Sequence, residues 1–101
     1  MIEGLEKLLA KGTDSAELRF GLGSAYLKQN QLQQAIEHLT RCVEQKPDYS
    51  AGWKLLGKAY FKAEQPQQAM DSYQQGIRVA EAQGDVQAVK EMQVFLKRLQ
   101  R

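Results

Sequence analysis

Three lysines and a phenylalanine share one face of a predicted helix in the second half of the chain. They are Lys54, Lys58, Phe61 and Lys62, and their spacing keeps them on one side of a helix over 51–63. Clustered ammonium groups beside an aromatic ring can bind carboxylates together with neighbouring apolar side chains. The alternative is a solvated face, which is the usual role of lysines on a helix, and both interpretations stay open.

No residue set in the sequence has the spacing of a catalytic or metal site. The only histidine, His38, has no cysteine or acidic residue at metal-ligand spacing, and we expect it to be exposed on an outer helix. The only cysteine, Cys42, stands at a small-residue packing position and is interpreted as a buried thiol. Gly21 and Gly23 follow no strand, so they form no phosphate loop. We therefore predict no enzyme, no metal and no cofactor.

The composition indicates one small domain without a membrane segment. The chain has 101 residues and a net charge of +2, an imbalance too small for a typical nucleic-acid binder. The basic run over 97–101 matches the preference for cations at the end of a helix. No stretch approaches about 20 consecutive apolar residues, and the start does not have the pattern of a signal peptide. With a single cysteine and no internal disulfide, we expect a cytoplasmic protein.

The chain is predicted to be helical throughout. Good helix formers dominate, and no segment alternates apolar and polar residues as a strand would. Gly12 and Gly84 are interpreted as helix stops, Asn30 as a left-handed turn residue, and Pro66 as a first-turn residue. The predicted helices span 2–11, 16–28, 32–45, 51–63, 66–83 and 86–100.

Side chains that can cap these helices precede three of them. The candidates are Asp14 or Ser15 for the second helix, Asp48 or Ser50 for the fourth, and Asp85 for the last. On the last helix, helical spacing predicts an inward face made by Val86, Val89, Met92 or Gln93, Leu96 and Leu99.

The chain nearly repeats itself after 34 residues. Residues 16–49 and 50–83 are identical at nine positions, which include a leucine–glycine pair, an alanine–tyrosine pair and a Gln-Gln-Ala run. A period of this length predicts stacked helical hairpins, because one hairpin cannot bury its own apolar face. Such an array favours a binding scaffold over a catalyst.

The recurring residues resemble the tetratricopeptide repeat. The matches are Leu22, Gly23, Tyr26, Ala35, Leu39, Cys42 and Pro47 in the first unit, and Trp53, Leu56, Gly57, Tyr60, Ala69, Tyr73 and Gly76 in the second. Three positions depart from the pattern: Arg19 replaces the tryptophan, Glu81 replaces the proline, and Glu64 stands at a turn that prefers Gly or Asn. The resemblance implies an all-α fold of antiparallel helical hairpins stacked in a right-handed superhelix.

The same register divides the single domain over 1–101 into four parts. Leu5 and Leu8 precede Leu39 and Cys42 by 34 residues, so the first helix resembles the second half of an earlier repeat. The last helix does not carry the motif and resembles the capping helix that such arrays need. The predicted parts are a half-repeat over 2–12, repeats over 16–49 and 50–83, and a cap over 85–100.

In the family, the first helix of each hairpin lines the concave surface of the superhelix. The resemblance implies a ligand-binding stripe made by Phe20, Ser24, Leu27 and Lys28 in the first repeat and Lys54, Lys58, Phe61 and Lys62 in the second. We therefore predict a scaffold or adaptor that binds another protein or peptide through an acidic or carboxylate-bearing segment.

Two alternatives to this stripe stay open. Phe20 and Phe61 can instead pack against the adjacent hairpin or the cap. The whole chain can instead be a self-associating structural module, which would stack through exposed apolar residues such as Leu8 or Val94 and Phe95.

Overall fold

The computed structural model describes all residues from Met1 to Arg101 and contains six α-helices and no strand. The predicted all-α fold is therefore confirmed, and each predicted helix is present with its ends shifted by no more than a residue. The helices are α1 (Ile2–Ala10), α2 (Ala16–Lys28), α3 (Leu32–Gln45), α4 (Ser50–Lys62), α5 (Pro66–Ala82) and α6 (Val86–Leu99). None of them combines the length and the apolar composition that crossing a bilayer demands.

Two of the three predicted side-chain caps are present. Ser15, rather than Asp14, caps α2, because its hydroxyl accepts a hydrogen bond from the Leu18 amide at 3.1 Å. Asp85 caps α6 in the same way through the Ala88 amide. The expected cap of α4 was wrong: the cap position is Tyr49, whose side chain makes no such bond.

The turns between paired helices use the left-handed backbone conformation. Asn30 and Glu64 occupy equivalent positions, with φ of 59° and 60°, and Gly12 and Gly84 have φ of 91° and 72°. Asn30, Gly12 and Gly84 confirm the residues interpreted as turn or stop positions. A glutamate in this conformation costs on the order of 1 kcal/mol, because its Cβ crowds the following carbonyl oxygen.

The helices pack into a layered stack with extents of 41 × 29 × 18 Å. Helices α2 and α3 form one hairpin, α4 and α5 form the next, and α6 packs on α5. The larger core cluster joins the two hairpins and consists of Leu27, Ala35, Leu39, Val43, Leu56 and Ala59. A second cluster joins α5 to α6 and consists of Ala69, Tyr73, Ala80 and Met92. By contrast, α1 contributes no fully buried residue.

The inward face of α6 agrees with the expectation except at Val86. Met92, not Gln93, is the buried residue, with no exposed surface. Val86 was expected to face inward and is 63% exposed. Val86 is the first residue of α6 and directly follows the turn at Gly84 and Asp85.

A polar network replaces apolar packing at the start of the first repeat. Arg19, which stands where the motif has tryptophan, forms two hydrogen bonds to the Asp14 carboxylate at 2.9 and 3.0 Å. Its guanidinium also lies 3.2 Å from Nδ1 of His38. Because a guanidinium only donates, Nδ1 accepts, and the neutral imidazole carries its proton on Nε2.

His38 is buried, so the expectation that it would be exposed was wrong. Only 7% of its surface is accessible, and its ring stacks on Tyr26 at 5.5 Å between centroids. Tyr26 in turn donates a hydrogen bond of 2.6 Å to Glu6, which ties α1 to the first hairpin. The physical reason is that Arg19 donates a hydrogen bond to the imidazole, so the polar ring is buried with a partner.

The buried network makes stability depend on pH. Burial lowers the pKa of His38. The positive charge of Arg19 also lowers this pKa, whereas the negative charges of Glu6 and Glu37 raise it. Hydrogen bonds from Arg19 and Gln45 hold the pKa of Asp14 well below its usual range. In both cases the unfolded chain takes up a proton at a higher pH than the folded protein, so stability is lost on acidification.

We expect the melting temperature to fall between pH 7.5 and pH 5.5, because His38 gains its proton in the unfolded chain below about pH 6.5. The loss attributed to Asp14 follows only below about pH 4. The control is His38→Gln, which keeps an acceptor for Arg19 and does not titrate. Thermal unfolding followed by circular dichroism measures both proteins. An equal decline in the two proteins between pH 7.5 and 5.5 would contradict the role of His38.

Candidate functional site

The lysine-bearing face of α4 lines a groove whose opposite wall is α6. The groove contains a pocket of about 210 Å³ that adjoins a wider depression of about 600 Å³. Both share Lys58, Tyr73, Phe95 and Arg98. We call the whole feature the α4–α6 groove, and its lining residues are Lys54, Leu55, Lys58, Phe61, Lys62, Tyr73, Glu91, Val94, Phe95, Arg98 and Leu99.

The floor of the groove is aromatic. The Tyr73 side chain on α5 is only 2% exposed, and it stacks on Phe95 of α6 with 5.5 Å between ring centroids. Phe61 and Phe95 are 56% and 37% exposed, respectively. The Tyr73 ring passes close to Gly57, which has no side chain to block it. The groove therefore presents an apolar surface that water contacts in the free protein.

The rim of the groove is basic. It contains four cationic side chains and one carboxylate, that of Glu91. Glu91 forms an ion pair with Lys54 across the groove, with 3.0 Å between Oε1 and Nζ. Lys58, Lys62 and Arg98 form no ion pair. Arg98 lies over the Phe95 ring, with its guanidinium carbon 5.9 Å from the centroid. The positive charge is consequently concentrated at the end of the groove that contains the small pocket.

The first-repeat half of the predicted stripe does not line this groove. Leu27 is 6% exposed and belongs to the core cluster between the hairpins, so its assignment as a ligand contact was wrong. Leu27 follows Gly23 by four residues and therefore lies on the same buried face. Phe20 stacks on Tyr49 at 5.1 Å, which is the packing alternative raised for it. Ser24 is half-buried and Lys28 is exposed.

Sequence reasoning missed the wall that α6 supplies. Glu91, Phe95 and Arg98 share one face of that helix at spacings of four and three residues. A signal was present in the sequence, because Phe95 falls outside the inward face predicted for the last helix and Arg98 follows it by about one helical turn. Tyr73 was interpreted as a packing residue, and it packs as expected while also forming the floor of the groove.

Cys42 has no role in this groove. It is fully buried, and burial raises the pKa of its thiol to about 11. This burial confirms the interpretation of Cys42 as a buried thiol, and the raised pKa disfavours the nucleophilic thiolate. No group of three or more His, Cys, Asp and Glu side chains is positioned to hold a metal ion.

The stacked hairpins and the groove on one flank define a helical repeat protein, a class in which each unit buries its apolar face against its neighbours. The family model for the tetratricopeptide repeat matches residues 2–58 and 26–92. The chain belongs to the tetratricopeptide repeat family, and folds of this family generally mediate protein–protein interaction as non-enzymatic scaffolds.

Proteins with similar sequences come from several bacteria. A TPR repeat-containing protein of Pseudomonas aeruginosa is 58% identical over 101 residues, which are 100% of this chain and 96% of that protein. A protein of Bordetella parapertussis with a known solution structure is 42% identical, with a TM-score of 0.86 over 100% of this chain and 88% of its own. The crystal structure of a tetratricopeptide repeat domain protein from Salinibacter ruber is 29% identical, with a TM-score of 0.79 over 86% of this chain and 97% of its own.

Proposed function

We propose that this protein is an adaptor that binds an acidic or carboxylate-bearing peptide segment of another protein in the α4–α6 groove. The observation that carries the proposal is the group of three cations without an ion-pair partner, Lys58, Lys62 and Arg98, around an exposed aromatic floor. Such a surface is adapted to a ligand that brings both carboxylates and apolar side chains.

The geometry also suggests how the repeat parts are used. In this proposal the hairpin over 50–83 supplies the floor and one wall, and the cap over 85–100 supplies the other wall. The hairpin over 16–49 then serves mainly to bury the apolar face of α4, and the half-repeat over 2–12 packs on α2. This differs from a ligand lying along both repeats, because Phe20 and Leu27 of the first-repeat stripe are engaged in packing contacts.

Binding to this groove should be modest in affinity and sensitive to salt. The groove is short, so much of the interaction energy is offset by the loss of motional freedom on association. The exposed cations attract an acidic ligand over a distance of about 10 Å at 0.1 M salt, and they do so less at higher ionic strength. Charge reversal in the groove should therefore weaken binding more than an equal charge change elsewhere.

We expect Lys58→Glu/Lys62→Glu to weaken binding of a fluorescein-labelled acidic peptide at least tenfold. A tenfold loss corresponds to about 1.4 kcal/mol, within the range of two reversed groove contacts. The peptide has a tyrosine between two pairs of glutamates, and fluorescence anisotropy measures its affinity at 50 and 300 mM salt. The matched control is Lys7→Glu/Lys11→Glu on the far side of the molecule, which changes the net charge equally.

Two results would contradict the proposal. Equal weakening by both double variants would mean that the peptide responds only to net charge. A stable dimer in analytical ultracentrifugation whose interface covers residues 54–62 would mean that the groove is occupied by a second copy, which is the self-associating alternative.

A further inference from the structure

The small pocket of the α4–α6 groove is sized for a single side chain. Its volume of about 210 Å³ lies below the 300 Å³ or more that is typical of sites for whole small-molecule ligands. An apolar cavity of about 150 Å³ is large enough to hold benzene. One aromatic ring therefore fills this pocket, and the rest of a bound segment must lie outside it along the basic rim.

The pocket walls favour an aromatic side chain over an aliphatic one. Its lining includes three aromatic rings, those of Phe61, Tyr73 and Phe95. Aromatic rings at contact distance attract one another beyond the effect of buried area, through offset-stacked and edge-to-face arrangements. Tyr73 and Phe95 already stack in this way, so an incoming ring can extend an existing aromatic cluster.

The Tyr73 hydroxyl lacks a partner within the protein. It takes part in none of the side-chain hydrogen bonds of the structure. No fully enclosed side-chain polar atom is without a partner, so this hydroxyl must still reach solvent. The residue is only 2% exposed and lines both parts of the groove, so its hydroxyl opens into the groove. Burial raises the pKa of Tyr73 to about 12, so the hydroxyl keeps its proton and can donate at neutral pH.

A purely apolar ring in this pocket would remove water from the Tyr73 hydroxyl without replacing its hydrogen bond. Leaving a buried donor unsatisfied is costly, so the pocket discriminates against such a ring. A phenol offers the same aromatic area together with an oxygen that accepts from Tyr73. The aromatic walls and the Tyr73 hydroxyl thus both favour a tyrosine side chain in the pocket.

We infer that the partner segment carries one tyrosine flanked by carboxylates, with the phenol ring in the small pocket and its oxygen hydrogen-bonded to Tyr73. The flanking carboxylates lie against Lys58, Lys62 and Arg98. This inference rests on the proposed function and specifies the ligand class of the same groove.

A double-mutant cycle between protein and peptide tests the inference. Four acidic peptides differ only at the central residue, which is tyrosine, phenylalanine, leucine or alanine, between two pairs of glutamates. Each is titrated by fluorescence anisotropy into the wild-type protein and into Tyr73→Phe. That variant should fold normally, since it removes a hydroxyl that has no partner in the free protein, and thermal unfolding checks this.

We expect the wild-type protein to bind the tyrosine peptide about three- to tenfold more tightly than the phenylalanine peptide, and the alanine peptide most weakly. In Tyr73→Phe the preference for tyrosine over phenylalanine should disappear. Equal binding of the tyrosine and alanine peptides would overturn the inference that a tyrosine ring fills the small pocket, while leaving the adaptor function intact. An unchanged tyrosine preference in Tyr73→Phe would overturn the hydrogen bond. Failure of all four peptides to bind would overturn the proposed function itself.

Discussion

Replacing Gly57 with alanine is expected to lower the free energy of unfolding by about 2 kcal/mol. A Cβ at this position would lie 2.7 Å from Cε1 of Tyr73 and within 3 Å of two further ring atoms. The ring cannot move away, because it is buried and stacked on Phe95. Such overpacking costs up to about 3 kcal/mol, from which the better helix propensity of alanine removes about 1 kcal/mol.

The matched control for this variant is Gly4→Ala. Gly4 is also helical, and a Cβ there would meet nothing within 4 Å. The control should leave stability unchanged or raise it by up to about 1 kcal/mol, because only the propensity gain applies. Thermal unfolding distinguishes the two, since about 1 kcal/mol shifts the melting temperature by 4–8 °C in a domain of this size. A Gly57→Ala protein at least as stable as Gly4→Ala would show that α4 and α5 are not in close contact at this point.

Met92→Ala should destabilise the protein by about 3 kcal/mol, which makes it the more damaging of the two changes. Met92 is fully buried and joins α6 to the core cluster around Tyr73. Truncating such a side chain loses its burial and leaves a cavity, with typical costs of about 2–5 kcal/mol. The matched control is Val94→Ala on the same helix, where the side chain is 48% exposed and the effect should stay within about 0.5 kcal/mol.

Hydrogen exchange localises the effect of Met92→Ala. Because Met92 is the only fully buried residue of α6, the amides of that helix should lose protection before those of α2 and α3. Denaturant unfolding then gives the global loss of stability. Uniform loss of protection along the chain, or a Val94→Ala protein that is equally destabilised, would contradict the view that Met92 holds the last helix in place.

The 34-residue period was sufficient to predict the stacked helical hairpins, because the pairing of neighbouring helices depends on local spacing. It could not predict the burial of His38. The period places His38 on the outer helix, and only the packed structure shows that Arg19 and Tyr26 cover it. Arg19, the residue of α2 that departs from the motif, thus determines the environment of His38 on α3, 19 positions away.

The candidate site was predicted in part. The second-repeat stripe was identified from helical spacing, and all four of its residues line the α4–α6 groove. The contribution of α6 was missed, since which face of a capping helix approaches α4 depends on how that helix crosses α5. Nor does spacing reveal that the Lys54 ammonium is neutralised by Glu91, because the partners are 37 residues apart.

Helix α6 both packs on the core through Met92 and forms one wall of the α4–α6 groove, so the proposed binding site depends on the docking of this helix. A segment that bridges α4 and α6 binds only when α6 is docked, so its binding energy adds to the docking equilibrium of that helix. In the proposed function, a change that undocks α6 therefore weakens binding in proportion to the fraction of molecules in which α6 stays docked, even when the change lies outside the groove. If a partner binds in the α4–α6 groove as proposed, its binding and the docking of α6 are coupled, and the partner adds a layer of contacts on α4 and α6.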